Sequence, residues 1–460
     1  MKYIFLLLLS INLFAAVNWK EFTENPDKPV FLFLCSGDFS DNSIQNTLDD
    51  KNVSKLINEN FYPVKVNSVE RPDLINRYTY VKLPSFAVLL EDGKIALQGR
   101  NTSPINMQRE LLSFLESFKT QKDYDEMLKN SNILMQQKLF FTYFAENSNE
   151  IENKSNLIVL KLKEIFDFKI GGIKVGYKTI LPYFLYSSTV MGNELFELKW
   201  MSELQIDEML KSKIFNKNHI YSSSKSNWNN PDLFVKFKSN VLFAETLIHL
   251  YDKTKQKSYL EHANEILIFL KNEMNSVPYI FDSKKAEIKN EFDFIEYYIA
   301  KLKYQFIQKE NNTETIKEFR SFLDNLSKKE IIYLSQYSIL LKGYTFLYKF
   351  SSENSDLTKA EKQADEMVSK FYDYDKNIFY DIVNGKEPFG YRFVNIEENI
   401  ELALNYIHFS VLSKKYVYIL LSETILSFAN SVHQDSLIDT FYLLAIDKFK
   451  KYSNGFENIN

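Results

Sequence analysis

The residues of this chain that could do chemistry are few and widely spaced. Five carboxylates, Asp232, Glu245, Asp282, Glu287 and Glu291, fall in one stretch of the sequence. Two such groups facing a common cavity would suit glycosidic or epimerisation chemistry, because one can deliver a proton while the other removes one or attacks. Asp232 and Asp282 sit in loop segments, where functional side chains concentrate. Glu245 lies three residues from both Leu242 and Ile248, at the edge of an apolar helix face, and reads as a solvated structural position. Of the five histidines, only His219 lies in an aromatic and polar loop near Trp228; His249 and His262 read as helix-surface residues. No histidine makes a short-spaced ligand pair with another or with the cysteine, so no metal or cofactor is expected. Trp228, Tyr221, Tyr372, Tyr374 and Tyr380 could wall a carbohydrate cleft, and they suit loop packing equally.

A second candidate chemistry is redox. The run 31-FLFLCSGDFSDNSIQN-46 holds Cys35, the only cysteine, at the end of a hydrophobic segment. One cysteine excludes an internal disulfide and any two-thiol cycle within the chain. A free cysteine at the end of an apolar strand usually behaves as a small buried hydrophobe. Asp38, Asp41 and Ser43 are suited to cap the helix that follows.

The elements that must position these residues come in two textures. Residues 29–35, 62–66, 86–90 and 95–99 read as strands, with helical spacing in 44–61 and a turn at 91–94. That order fits a small α/β domain. From Ile105 onward amphipathic helices recur, with clear pairs at 240–254 and 258–274 and at 396–413 and 415–432. Longer aromatic loops such as 216–233 and 371–385 separate them. Because no strict sequence period links the helices, a closed toroid is expected rather than a solenoid. A toroid would gather its longer loops around the mouth of one cavity, and Asn240 would open one of its helices.

Composition bounds the partners. The 460 residues are 45% hydrophobic and 25% charged, enough for a large core, and the aromatic share rests on 39 Phe and 29 Tyr. A net charge of -4 offers no field for nucleic acid. The start, 1-MKYIFLLLLSINLFAAVNW-19, reads as a signal peptide cleaved near Ala16, which implies export to the periplasm or outside the cell. No later segment is apolar enough to span a membrane, so no integral span is expected after cleavage.

The strand–loop–helix order of the first domain resembles a thioredoxin-like domain. The segment 58-NENFYPVKVNSVERPDL-74, with Glu70, Arg71, Pro72 and Asp73 in order, resembles a large family that includes spermatogenesis-associated protein 20. That family joins a thioredoxin-like domain to an (α/α)6 toroid. The likeness continues with 171-GGIKVG-176 and with Trp228, Pro231 and Asn240, although Asp232, Phe234, Val235 and Ser239 replace charged residues of the family pattern. It implies an α/β thioredoxin-like domain at 17–110 after a signal peptide at 1–16, followed by an all-α (α/α)6-type toroid at 111–460. The family's Cys-x-x-Cys positions fall on Phe39 and Asn42, so thiol exchange is absent. Pro84, in 83-LPS-85, falls where that fold carries a cis proline, although the pattern alone fits a proline opening an ordinary strand equally. The resulting expectation is an exported, redox-inactive protein that binds a carbohydrate or protein partner around His219, Tyr221, Trp228, Asp232, Asn240 and Asp282. The alternative is a carbohydrate-active enzyme, a glycoside hydrolase or epimerase-like protein using toroid carboxylates.

Overall fold

A computed structural model describes residues 16–23, 26–35, 42–79, 83–90, 93–100, 103–117, 159–160, 162–173, 177–191, 196–225, 227–388, 392–432 and 439–457. The expected signal segment and Phe39 lie outside the described residues. The chain divides into two compact units, the first through Lys138 and the second from Leu139.

The first unit is built on a four-stranded mixed sheet. Strand β1 (Val30–Cys35) is buried along its whole length, as its unbroken apolar run requires. It pairs parallel with β2 (Tyr62–Asn67) and antiparallel with β3 (Ser85–Leu89), and β4 (Ile95–Gly99) completes the sheet order β2–β1–β3–β4. Helix α1 (Asn42–Leu48) leads to α2 (Lys51–Asn60), which starts where the Asp50 carboxylate accepts from the amides of Asn52 and Val53 at 2.9 and 3.1 Å. Helices α3 (Pro72–Tyr78) and α4 (Pro104–Ser117) follow. Phe31, Phe33, Phe61, Phe86 and Phe114 fill the core, with Phe31 stacked on Phe86 at 5.6 Å. Cys35 is buried in this core and its thiol points to the Val66 carbonyl at 3.3 Å. The Leu83–Pro84 bond is cis.

The second unit is mostly helical. Strand β5 (Tyr177–Thr179) precedes helices α5 (Pro182–Val190) and α6 (Phe196–Leu210); β6 (Ser223–Lys225) and β7 (Phe234–Lys236) precede α7 (Phe237–Thr254) and α8 (Lys257–Phe269). Strands β8 (Tyr279–Phe281) and β9 (Lys284–Lys285) come before α9 (Phe294–Gln308), α10 (Thr313–Leu326), α11 (Leu334–Ser351) and α12 (Asn354–Phe371). Strands β10 (Tyr372–Asp373) and β11 (Ile378–Phe379) precede α13 (Ile396–Ser413), α14 (Val417–Val432) and α15 (Asp439–Glu457).

Helices α5, α7, α9, α11, α13 and α15 pack in that order, and α15 closes back on α5. They form an inner ring, with α6, α8, α10, α12 and α14 outside it. The sequence explains the division. Outer helix α12 buries a single stripe, Asp356, Ala360, Gln363, Ala364, Met367 and Phe371. Inner helix α13 is buried almost all round, as it must be between two ring neighbours, an outer helix and the centre.

The two ends of the ring differ. At the C-terminal end, α7, α9, α11 and α13 each stop at a left-handed residue, Lys255, Lys309, Ser352 and Lys414, and turn into the outer helix within a few residues. The longer connections, with hairpins β7–β8–β9 and β10–β11, all precede inner helices. They therefore surround the N-terminal ends of the inner helices, which form the mouth of the ring.

Candidate active site

The loop residues singled out in the sequence are held by specific partners, some of them distant in sequence. Trp228 is buried, and its indole N–H donates to the Ile170 carbonyl at 2.7 Å. Its ring lies so close to Gly172, at φ +75°, that a Cβ there would sit 2.7 Å from it. His219 stacks on Phe269 at 4.6 Å and meets Tyr221 edge-on at 4.9 Å; burial lowers its pKa to about 4. Tyr221 accepts from the Asn216 amide at 3.1 Å. Asp232 accepts from Ser223 and, at 3.1 Å, from the backbone N–H of Phe234, tying its own turn. Asn240, fully buried, accepts from the Ile220 N–H at 2.8 Å and donates to the carbonyls of Ile220 and Lys236 at 3.0 and 2.9 Å. Asp282 is exposed at the β8–β9 turn, with φ +44°. Phe234 stacks on Tyr279 within its own hairpin, at 5.4 Å. His219 and Tyr221 touch each other, while Trp228, Asp232, Asn240 and Phe234 bond or stack with other residues. Asn42 opens α1 in the other unit.

The ring's centre carries a different set of groups. Lys238 lies in the first turn of α7 and Glu401 in the second of α13, which are three places apart in a ring of six helices. Their side chains nevertheless meet, with Nζ 3.6 Å from Oε2, so the ion pair spans the bore. Glu296 of α9 accepts both bonds of Lys342 of α11, at 2.6 and 2.7 Å. One level further in, Glu245 of α7 accepts from Lys303 of α9 at 2.8 Å. This corrects the reading of Glu245 as solvated: its side chain is 2% exposed. Lys238 also lies over the Tyr183 ring of α5 at 5.5 Å, and Lys303 over Tyr186 at 5.9 Å.

These groups are deep yet wetted. Burial is the largest influence on each, but Lys238 keeps 38% of its side chain accessible and Glu401 keeps 21%. Groups enclosed by helices that keep some solvent-accessible surface line the mouth of the bore.

The carboxyls of the mouth are not equivalent. Burial would raise Glu296, but Lys342 and Lys238 outweigh it and hold it below its usual value. Burial opposes the Lys238 ammonium too, yet Glu401, Tyr183, Asp293 and Glu296 keep it well above the ordinary lysine range. Asp293 stands at the N-cap of α9 without capping it. Burial raises it to about 6 against the pull of Lys238, with Glu296 and Glu401 reinforcing the rise. Glu398 goes furthest: burial, then Asp381 and Glu401, push it up to about 8. Carboxylates at helix N-termini are normally favoured as anions. Here burial and like charge win. One Glu398 oxygen accepts from the Asn395 cap at 3.2 Å, while Oε2 is buried with no partner among the described residues.

At neutral pH the mouth therefore holds a protonated carboxyl (Glu398), a carboxyl poised to take up a proton (Asp293) and an ammonium whose charge acts on both (Lys238). Such a set can deliver a proton, remove one and stabilise a developing oxyanion. No cluster that could hold a metal occurs among the described residues, and no described helix is long and apolar enough to cross a membrane.

No known protein family and no curated protein matches the chain. Among solved structures, a D-mannose isomerase is similar in fold, with a TM-score of 0.51 at 11% identity over 67% of this chain and 100% of that one. A cellobiose 2-epimerase from Bacillus thermoamylovorans B4167 gives 0.49 at 12% identity, over 60% of this chain and 85% of that one. A glycoside hydrolase family 76 mannosidase from Bacteroides thetaiotaomicron gives 0.48 at 10% identity, over 66% and 99%. These findings overturn the resemblance drawn from Glu70–Asp73 and Trp228–Asn240. The first of those segments has a local cause, since Pro72 opens α3 and Arg71 grips Asp73 through two bonds at 2.9 and 2.7 Å. The noncatalytic binding protein expected with that family is corrected as well. The chain shares its helical fold with a sugar isomerase, and its bore carries carboxyls in opposed protonation states.

Proposed function

We propose that the protein is a carbohydrate-active enzyme that takes a proton from the carbon beside a sugar carbonyl and returns it to the neighbouring carbon, as an isomerase does, or to the other face of the same carbon, as an epimerase does, at the mouth of the helical ring. The observation that carries this reading is the set Asp293, Glu398 and Lys238, two carboxyls raised to about 6 and about 8 around one ammonium. A proton-transfer enzyme needs its base and acid poised close to neutrality. The bore's charges also argue for chemistry over stability, because buried ion pairs are often replaceable by apolar side chains without loss.

The step balances without any redox partner. Ionised Asp293 takes the proton from the carbon beside the carbonyl of an open-chain sugar. The freed electron pair forms the carbon–carbon double bond, the carbonyl electrons move to oxygen, and Glu398 protonates that oxygen. Lys238 stabilises the charge that builds there. Returning the Asp293 proton to the adjacent carbon, and the neighbouring hydroxyl proton to Glu398, completes the shift. A second reading, glycoside hydrolysis, is favoured by Glu398 and Glu401 standing three residues apart on one helix, the first neutral and the second paired with Lys238.

Incubation with a panel of aldoses, ketoses and disaccharides in D2O, followed by NMR, separates them. A new isomer carrying deuterium at carbon supports proton shuttling, and cleaved disaccharide without deuterium supports hydrolysis. No conversion of any member would contradict both.

The remaining readings are architectural. The sheet order and the cis proline before β3 support a thioredoxin-like fold for the first unit, and the closed inner ring supports an (α/α)6-type toroid for the second. The N-terminal residues support export after cleavage near Ala16.

A further inference from the structure

The bore has a second polar level, two to three helical turns below the mouth, where lysine and histidine side chains join Glu245. Each inner helix that supplies a mouth group supplies another at helical spacing below it: His249 on α7, Lys303 on α9, Lys349 on α11 and His408 on α13. Three of these surround Phe346. The Lys303 and Lys349 ammoniums lie 4.9 and 5.7 Å from its ring centre, and the His408 ring lies 5.8 Å away. Lys303 is engaged by Glu245, but among the described residues no carboxylate lies within ion-pair distance of Lys349.

The imidazoles are the telling feature. His408 Nδ1 and His249 Nε2 are buried with no hydrogen-bond partner among the described residues. A buried polar nitrogen without a partner is expensive, and a native site usually satisfies it with protein, water or ligand. Burial, then Lys303, Lys342, Lys349 and Lys448, hold His408 down to about 3. Burial, then Lys253 and Lys303, hold His249 down to about 4. Both rings are therefore neutral, each carrying one N–H and one acceptor nitrogen. Two ammoniums and the His408 imidazole around one aromatic ring, with one lysine lacking a counter-charge among the described residues, describe a receptor for an anion with several acceptor oxygens.

We propose that the inner half of the bore is an oxyanion-binding chamber, in which Lys349, Lys303, His249 and His408 hold a phosphate, sulfate or carboxylate group, either free or carried by a sugar. The chamber stands independently of the proton-transfer reading. Where the oxyanion is sugar-borne, it places the acidic group of the substrate below the reacting carbons at the mouth.

Titration calorimetry tests this without any turnover, so its outcome is separable from that of the catalytic reading. The intact protein is titrated at pH 7.5 and constant ionic strength with inorganic phosphate, glucose 6-phosphate, glucuronate and glucose. The expected result is saturable binding of phosphate at one site per chain, weakened at least tenfold by Lys349→Met. Lys349 is exposed, so that variant should fold. His408→Asn, checked for folding by circular dichroism, should weaken it as well. Tighter binding of glucose 6-phosphate or glucuronate than of phosphate, with none of glucose, assigns the group to an acidic sugar. Equal binding of phosphate and glucose 6-phosphate assigns it to a free ion. Absence of saturable binding by all three anions, or binding unchanged in both variants, overturns the proposal.

Discussion

The segment leading into α7 and the bore of the ring both hold carboxylate, histidine and aromatic side chains, yet they use them oppositely. In the leading segment most groups are satisfied from that segment itself, Asn240 by Ile220 and Lys236 and Asp232 by Ser223 and Phe234, while Trp228 reaches Ile170. In the bore the partners come from other helices, Lys238 reaching Glu401 across the ring, and some groups have none, such as Glu398 Oε2. A polar group spent on a local turn is part of the scaffold. One left unspent inside a wetted cavity is available to a substrate.

The largest expected effect breaks this comparison on the bore side. Glu398→Gln or Lys238→Met should lower kcat by roughly 10²–10⁴-fold with the fold intact, measured by steady-state kinetics on whichever sugar the panel converts and checked by circular dichroism. An activity loss of that size from Asp232→Asn instead would reverse the assignment. Next, activity should be bell-shaped in pH, falling about tenfold per unit below about 6, where Asp293 is protonated, and above about 8, where Glu398 loses its proton. A flat profile between pH 5 and 9 would remove both roles.

On the scaffold side, Asn240→Ala strands the buried N–H and carbonyl of Ile220. It should cost about 1–3 kcal/mol of unfolding free energy while leaving kcat per folded molecule unchanged, a split that urea unfolding and kinetics can read together. The smallest effect belongs to Asp282→Asn, since Asn tolerates the positive φ as Asp does. That side chain is exposed at a hairpin turn, so stability should change by no more than about 0.5 kcal/mol and kcat should not change. A measurable kcat loss would bring the hairpin tip into the site.

Much of the fold could be read from local pattern. The unbroken apolar run of β1, the hairpin around 91–94 and the helix pairs at 240–274 and 396–432 follow from periodicity, which is a short-range property. The site was less legible. Loops attract functional readings, which point to His219 and Asp232, while local pattern reads Glu245 as the edge of an apolar face and His249 as helix surface. The signal lay in their spacing. Lys238, Glu245 and His249 recur along one face of a helix that is otherwise apolar on nearly every side, and Glu398, Glu401 and His408 do the same on α13. A charged stripe on a helix buried all round has no solvent to face, so it must face an internal cavity. Which helix stands opposite depends on ring closure, and no local pattern carries that.

The account rests on Glu398 being a neutral acid at physiological pH. Carbon-13 NMR of the side-chain carboxyl, in protein labelled at glutamate and compared with Glu398→Gln to assign the resonance, measures this directly. The expected result is one carboxyl titrating at about 8 that disappears in the variant. Because its pKa is raised in the folded state, the wild type should also lose stability relative to the variant as pH rises from about 4.5 to about 8. A Glu398 resonance that titrates in the ordinary carboxylate range, with no pH-dependent stability difference, would contradict the account.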